Sequence, residues 1–380
     1  MTKIKGFDGL RALSVIFVIL THLGIYATAQ NAGWLSERAA PIISGTTGVQ
    51  IFFVLSGFLI TSLLIKEHEA TGSVSLKGFY IRRALRILPL YFLCVLLTWF
   101  VDVYIWPVAS TPSLIFAATF NTSFIPREWY SSILGHTWSL SVEEHFYLLW
   151  PAALLFLYKF NFNRALVHIL LGTAISLCLL AVVMRIEEVN AAYFVARWSI
   201  FAGSWIALGC AAAIVVNGSA YARANALLAS RGALWLAAAL FLHSIVLGLL
   251  PKPLDETLRV LGAVLLVCWI AHNQKGRIVS ALEYGPLAYT GKISYGLYMW
   301  QGFFLATGPG RAPGQLWPLN AGMGLILLCI VAPLSYHFFE KRFLALSGAF
   351  RHKGAMGAHG EKPARPSEKA PTASIASVNQ

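Results

Sequence analysis

Apolar stretches of about twenty residues recur along almost the whole chain, each long enough to cross a ~30 Å hydrocarbon layer as a helix. The stretches lie near residues 11–30, 45–65, 86–106, 137–158, 165–184, 198–217, 233–250, 257–272, 288–307 and 321–341. The expected fold is all-α: a polytopic transmembrane bundle of about ten spans. Charged residues make up 12% of the chain, about half the fraction usual in a soluble globule. One membrane domain therefore covers residues 1–345. Residues 346–380, rich in Ala, Gly, Pro, Ser and Lys, are expected to form a disordered tail.

Orientation follows from the basic residues. With the N-terminus inside, 22 of the 29 Lys and Arg fall on the cytoplasmic side and 7 on the other. That asymmetry predicts both termini in the cytoplasm. It also accounts for the net charge of +13 without nucleic acid, since no basic helix interleaved with aromatics stands out. The expected surroundings are a lipid bilayer. Cys94, Cys178, Cys210, Cys268 and Cys329 all lie in apolar runs without ligand spacing, so they read as small hydrophobes. No metal site is expected.

Four segments carry ionisable groups into or beside the spans, where such groups are costly and point to function. In RALSVIFVILTH, Arg11 and His22 are eleven residues apart. Eleven steps of ~100° return to nearly the same helix face, and ~1.5 Å per residue separates the two by ~16 Å. His22 is the leading candidate for a general base or transient nucleophile acting as neutral imidazole. In HTWSLSVEEHFYLLWP (136–151), Glu143 and Tyr147 share a face, Ser141 precedes them and Glu144 points about 100° away. A carboxylate here is expected to orient or charge an imidazole. Arg82, Arg83 and Arg86 in YIRRALRILPLY form a basic patch suited to phosphate, with Arg82 and Arg86 at i, i+4 and Pro89 set to kink the helix. Plain topology explains any single one of these arginines equally well. In GTTGVQIFFVLSGFLI, Gly45, Gly48 and Gly57 with Ser56 permit close helix approach.

Gln301 reads as a structural polar residue within a span, and Glu340 as a helix-end ion-pair partner of Lys341 and Arg342. The loop 107–136, with Trp129, Tyr130 and His136, supplies aromatic rings near the outer interface. Soluble serine-triad, zinc-protease and ATPase readings lack their motifs.

These blocks, in this order, resemble the acyltransferase 3 family of integral-membrane O-acyltransferases that modify bacterial polysaccharide and lipopolysaccharide. The basic-residue, ten-residue gap, histidine signature falls on Arg11 and His22. The Ser-x-Glu-x-x-x-Tyr pattern falls on Ser141, Glu143 and Tyr147. GVQIFFVLSGFLI, RRALRILPLY, ISYGLYMWQ and SYHFFEKRF resemble further blocks, and the likeness covers residues 5–345. The sequence departs from the pattern at His145, where many members have glutamine, and at Lys341 and Arg342.

The resemblance implies an enzyme of the bacterial inner membrane that uses cytoplasmic acyl-CoA, most commonly acetyl-CoA, as donor substrate, with no tightly bound cofactor. The acceptor it implies is a sugar hydroxyl of a glycan. Arg82, Arg83, Arg86 and Arg11 would meet the CoA phosphates, with the thioester directed toward His22. Glu143, assisted by Ser141, Tyr147 and Glu144, would act in the outer half of the same cavity. Two alternatives stay open on the residues: a small glycosylated acceptor such as a macrolide, and a non-enzymatic transporter or scaffold.

Overall fold

A computed structural model of the chain describes residues 4–105, 109–158, 195–248, 250–305 and 321–350, with short pieces between 168 and 180. The described residues are helical throughout, with no strand among them. The N-terminal part comprises α1 (Phe7–His22), α2 (Ile25–Asn31), α3 (Gly45–Thr71), α4 (Leu76–Tyr104), α5 (Thr111–Ala118) and α6 (Trp138–Tyr158). Next come α7 (Ser199–Asn217), α8 (Ala222–Leu228), α9 (Arg231–Leu247) and α10 (Lys252–His272). The chain continues through α11 (Arg277–Leu282), α12 (Gly285–Lys292), α13 (Ser294–Leu305), α14 (Ala321–Ser335) and α15 (Lys341–Ser347).

Among the described residues, four helices are long and apolar enough to cross a membrane: Gly45–Thr71, Leu76–Tyr104, Ser199–Asn217 and Gly322–Ser347. The pair Ser219–Leu228 and Arg231–Leu247, bent by 65°, makes a fifth if it acts as one span. The stretch expected near 165–184 lies mostly outside the described residues, as do residues 351–380 of the expected tail. Residues 346–350, assigned to that tail, complete α15 and one further turn. The stretch expected at 11–30 is not one helix. Gly24 adopts φ 70°, a left-handed conformation that ends α1 at His22 before α2 begins. His22 therefore stands at a helix terminus rather than in mid-span.

Small residues set the packing. A Cβ at Gly57 would collide with the Ile206 carbonyl, and one at Gly209 would collide with the Val54 carbonyl. These reciprocal contacts let α3 and α7 cross backbone against backbone, the close approach that lipid-embedded helices use in place of a hydrophobic driving force. Gly48 brings α3 equally close to the Ser14 carbonyl of α1. The core between them contains Phe53, Val54, Phe58, Val15, Ile206 and Cys210, all buried. Outward-facing Leu96, Trp99 and Phe100 on α4, and Leu148 and Leu149 on α6, stay exposed, as lipid-facing residues do. Of the cysteines, Cys94, Cys210 and Cys268 are buried and unpaired as expected, Cys329 is exposed, and Cys178 lies outside the described residues.

Two ionic features tie the periphery down. Between α9 and α10, Asp255 pairs with Arg259 (2.5 Å) and with His243 Nε2 (2.9 Å), all three buried. At the other end of the chain, Glu340 accepts a hydrogen bond from Ser335 (3.3 Å) and packs on Gly296. The ion pair expected with Lys341 and Arg342 is absent among the described residues. Residues Tyr336–Glu340 form a π-helical turn that rotates the carboxylate toward α13, while Lys341 reaches His337 (3.1 Å).

Candidate functional site

Two cavities adjoin along α1. The first, about 340 Å³, opens around its amino-terminal end and is lined by Arg11, Lys66, Arg83 and Arg86, by Glu143, Tyr147 and Ser56, and by apolar walls including Phe7, Phe52, Leu59 and Ile87. The second, about 380 Å³, surrounds its carboxyl-terminal end and is lined by His22, His136, Arg197, Tyr130, Trp138, Trp205, Lys252 and Glu256. Val49 of α3 and Tyr298 of α13 belong to both linings, so the two cavities meet at these side chains.

The eleven-residue spacing between Arg11 and His22 thus brings both residues to cavities, but to different ones. Arg11 is held by Asp8 one turn before it (2.8 Å), and Asp8 shares its cavity. Of the three arginines of α4, Arg83 and Arg86 line the first cavity. The Arg83 guanidinium lies over the Tyr147 ring (4.8 Å to the centroid) and the Phe79 ring (5.8 Å). Such stacking fixes a cation without consuming its in-plane donors. Arg82 is a correction to the expected patch. It binds the Phe350 carbonyl (2.6 Å) and Glu67 (3.4 Å) and lines neither cavity: although only ~40° from Arg86 around the helix, it sits a turn nearer the start of α4, where these two partners hold it.

Glu143 is also displaced from its expected partner. Its carboxylate accepts hydrogen bonds from Ser56 (2.8 Å) and Tyr147 (3.0 Å), and the two hydroxyl oxygens lie 3.1 Å apart. This three-residue cluster sits in the arginine cavity, away from His22. Its place follows from the chain: Glu143 lies five residues beyond Trp138, which lines the histidine cavity, and ~1.5 Å per residue carries it into the other compartment. Ser141 donates back to the Thr137 carbonyl (3.3 Å) and lines neither cavity, nor does Glu144. Both belong to the interior of α6 rather than to a cavity wall. His145 bonds Ser199 (2.7 Å) and stacks on Phe124.

The partner of His22 is Gln301. The imidazole Nδ1 contacts the side-chain carbonyl of Gln301, a residue with no accessible surface. A carbonyl only accepts, so Nδ1 carries the proton and Nε2 keeps a lone pair. Gln301 was the residue read as structural; its only signal in the sequence was polarity inside an apolar run. The second cavity's remaining wall includes aromatic and cationic side chains. Arg197 lies over the Tyr130 ring (5.6 Å) and the Trp138 ring (5.2 Å). Near the mouth, Lys252 and Glu256 are 3.9 Å apart.

The arrangement provides a basic pocket flanked by apolar walls, a neutral imidazole with its tautomer set, and a ring-lined compartment beyond. Comparison with known proteins places this geometry in context. A family model described as an acyltransferase domain matches residues 4–337. The O-acetyltransferase OatA of Staphylococcus aureus is 30% identical over 369 residues, covering 89% of this chain and 56% of the relative. A putative peptidoglycan O-acetyltransferase of Bacillus subtilis, YrhL, is 29% identical, and the peptidoglycan O-acetyltransferase OatA of Listeria monocytogenes is 27% identical. Each match covers 89% of this chain and 54% or 55% of the relative, so the chain spans just over half the length of these proteins. No solved structure matches significantly.

Proposed function

The chain belongs to the acyltransferase family whose domain spans residues 4–337, and from that premise we propose that it is a membrane O-acyltransferase acting between the two cavities. The donor is acyl-CoA, with acetyl as the acyl group. The acceptor is a sugar hydroxyl of a cell-wall glycan, the substrate class for which the peptidoglycan O-acetyltransferases it resembles are named. The enzyme sits in the bacterial inner membrane with both termini cytoplasmic. The donor enters the arginine cavity from that side, and the acceptor meets the histidine cavity from the other.

The observation that carries this reading is the junction at Val49 and Tyr298, where a cavity bearing four cations meets one bearing His22. Arg11, Lys66, Arg83 and Arg86 supply the charge-assisted donors that phosphates need. Phe7, Phe52 and Leu59 offer a surface for the pantetheine arm. The thioester then reaches the junction while the nucleotide stays among the arginines. There Nε2 of His22, left bare by the Nδ1 contact to Gln301, is the available base or nucleophile. Tyr130, Trp138 and Trp205 present ring faces to the sugar. The glycan named by these relatives favours a polymeric acceptor over a small glycoside.

The reading is tested by incubating purified protein in nanodiscs with radiolabelled acetyl-CoA and cell-wall glycan. Wild type releases CoA and labels the glycan, while His22→Ala does neither yet elutes as a folded protein. Normal turnover by His22→Ala, or no CoA release by wild type with any acyl-CoA, would overturn it.

A further inference from the structure

His136 shares the histidine cavity with His22, and every contact it makes orients its ring. The residue is 5% exposed and sits in a short 3-10 turn, Gly135–Thr137, that leads into α6. Its Nδ1 is 2.9 Å from the Ile133 carbonyl, which only accepts, so Nδ1 carries the proton. The remaining nitrogen, Nε2, is buried and makes no well-formed hydrogen bond among the described residues, although the Met299 backbone carbonyl lies within interaction range of the ring. The backbone is fixed as firmly as the ring. The Tyr298 hydroxyl donates to the His136 carbonyl (2.8 Å) and contacts the Ser139 hydroxyl (2.5 Å). A Cβ at position 302 would collide with the imidazole, so Gly302, next to Gln301, makes the room it occupies.

A buried acceptor left unpaired is costly and calls for an explanation. A ring packed only for its bulk has no need of two anchors that leave one lone pair bare. His22 and His136 are thus both held through Nδ1, by Gln301 and by Ile133, and both side chains line the same compartment.

We propose that His136 is a second catalytic imidazole: it takes the proton of the acceptor hydroxyl while His22 carries the acyl group. This rests on the function proposed above and divides the reaction between two bases. The His22 Nε2 lone pair attacks the thioester carbonyl carbon. The C–S bond breaks, CoA leaves as thiolate, and His22 holds the acyl group as an acylimidazolium. His136 Nε2 then removes the sugar hydroxyl proton. The oxygen's electron pair forms the ester C–O bond as the C–N bond to His22 breaks. The proton on His136 passes through water to neutralise the thiolate. Thioester and alcohol become ester and thiol, and both imidazoles return to neutrality.

The test separates the two half-reactions with acetyl-CoA as probe. Without glycan, rapid mixing reads a burst of one CoA per protein; with glycan, it reads label transfer. Wild type shows both, and His22→Gln shows neither. His136→Gln keeps the burst within about twofold and loses transfer by ~10²–10⁴-fold, the usual contribution of a positioned base. Free imidazole restores transfer to His136→Gly. Three results would overturn the assignment: transfer by His136→Gln at the wild-type rate, equal loss of burst and transfer, or a loss that imidazole leaves unrepaired while the melting temperature falls. A wild type without any burst would instead remove the donor reading on which the division rests.

Discussion

The Nδ1 of His22 and the side-chain carbonyl of Gln301 are in direct contact, although 279 positions separate them in the sequence. The contact determines which imidazole nitrogen is free, much as a buried carboxylate fixes the tautomer of a catalytic histidine elsewhere. Gln301→Leu keeps the volume and removes the acceptor. Transfer is expected to fall by ~10²-fold, the scale of a catalytic group released from its orientation, while KM for acetyl-CoA stays near the wild-type value. Steady-state kinetics in nanodiscs measures both; an unchanged kcat would show that Gln301 does not orient His22.

The arginines of α4 divide into two kinds. Arg83 and Arg86 line the first cavity, and replacing either with alanine is expected to raise KM for acetyl-CoA by about tenfold to a hundredfold. Arg82 holds the Phe350 carbonyl and Glu67 instead, so Arg82→Ala leaves that KM within about twofold. Its effect on stability should stay within ~1 kcal/mol, as befits a partly exposed pair. Donor titrations of the three variants side by side decide the matter.

Tyr147 joins the Glu143–Ser56 cluster to Arg83. Tyr147→Phe retains a ring beneath the guanidinium and deletes the hydrogen bond to Glu143. A loss of donor affinity smaller than that of Tyr147→Ala is expected, since the alanine variant removes the platform as well, worth ~0.5–2 kcal/mol. Equal effects of the two variants on CoA binding by calorimetry would mean that the ring contributes nothing.

The group His243, Asp255 and Arg259 joins α9 to α10. Removing one member of a buried ionic group strands the others, at a cost of about 3–5 kcal/mol. Asp255→Ala is expected to lower the melting temperature markedly. The triple replacement His243→Leu, Asp255→Leu, Arg259→Met should be better tolerated than that single change. Thermal melts of purified protein rank the variants; a single change as mild as the triple would show that the group carries little of the stability.

Gly57 and Gly209 permit α3 and α7 to touch through their backbones. Gly57→Val or Gly209→Val is expected to cut the yield of folded protein sharply. Here the obstruction is a carbonyl, which moves only with its whole helix, so the cost exceeds the ~1–3 kcal/mol of ordinary overpacking. Size-exclusion profiles of the detergent-solubilised variants report it.

Helix content and the small-residue contacts were legible because both follow from local pattern: long apolar runs must be helical in lipid, and glycines within them permit close approach. Local geometry also brought Arg11 and His22 to one side of α1. It said nothing of the partition between them, which comes from Val49 and Tyr298 on other helices. The fork of Arg82 with Arg86 is sound helix geometry, yet a single helix does not reveal which face its neighbours cover; the inward pair is Arg83 with Arg86. Glu143 was legible as a costly carboxylate within a span, but the imidazole expected as its partner is replaced by the hydroxyls of Ser56 and Tyr147, the first of which lies on another helix. The partners of histidines were hardest to find: Gln301 comes from another part of the chain, and the His136 anchor is a backbone carbonyl, which leaves no trace in residue identity.

Val49 and Tyr298 divide what would otherwise be one continuous passage beside α1. A tunnel open from end to end would discharge the ion gradients on which the cell lives. With the septum in place, on the function proposed here, only an acetyl group one way and one proton the other need change compartment. The bulky nucleotide carrier is handed back to the metabolism that made it, and the membrane keeps its voltage while its wall precursors are decorated.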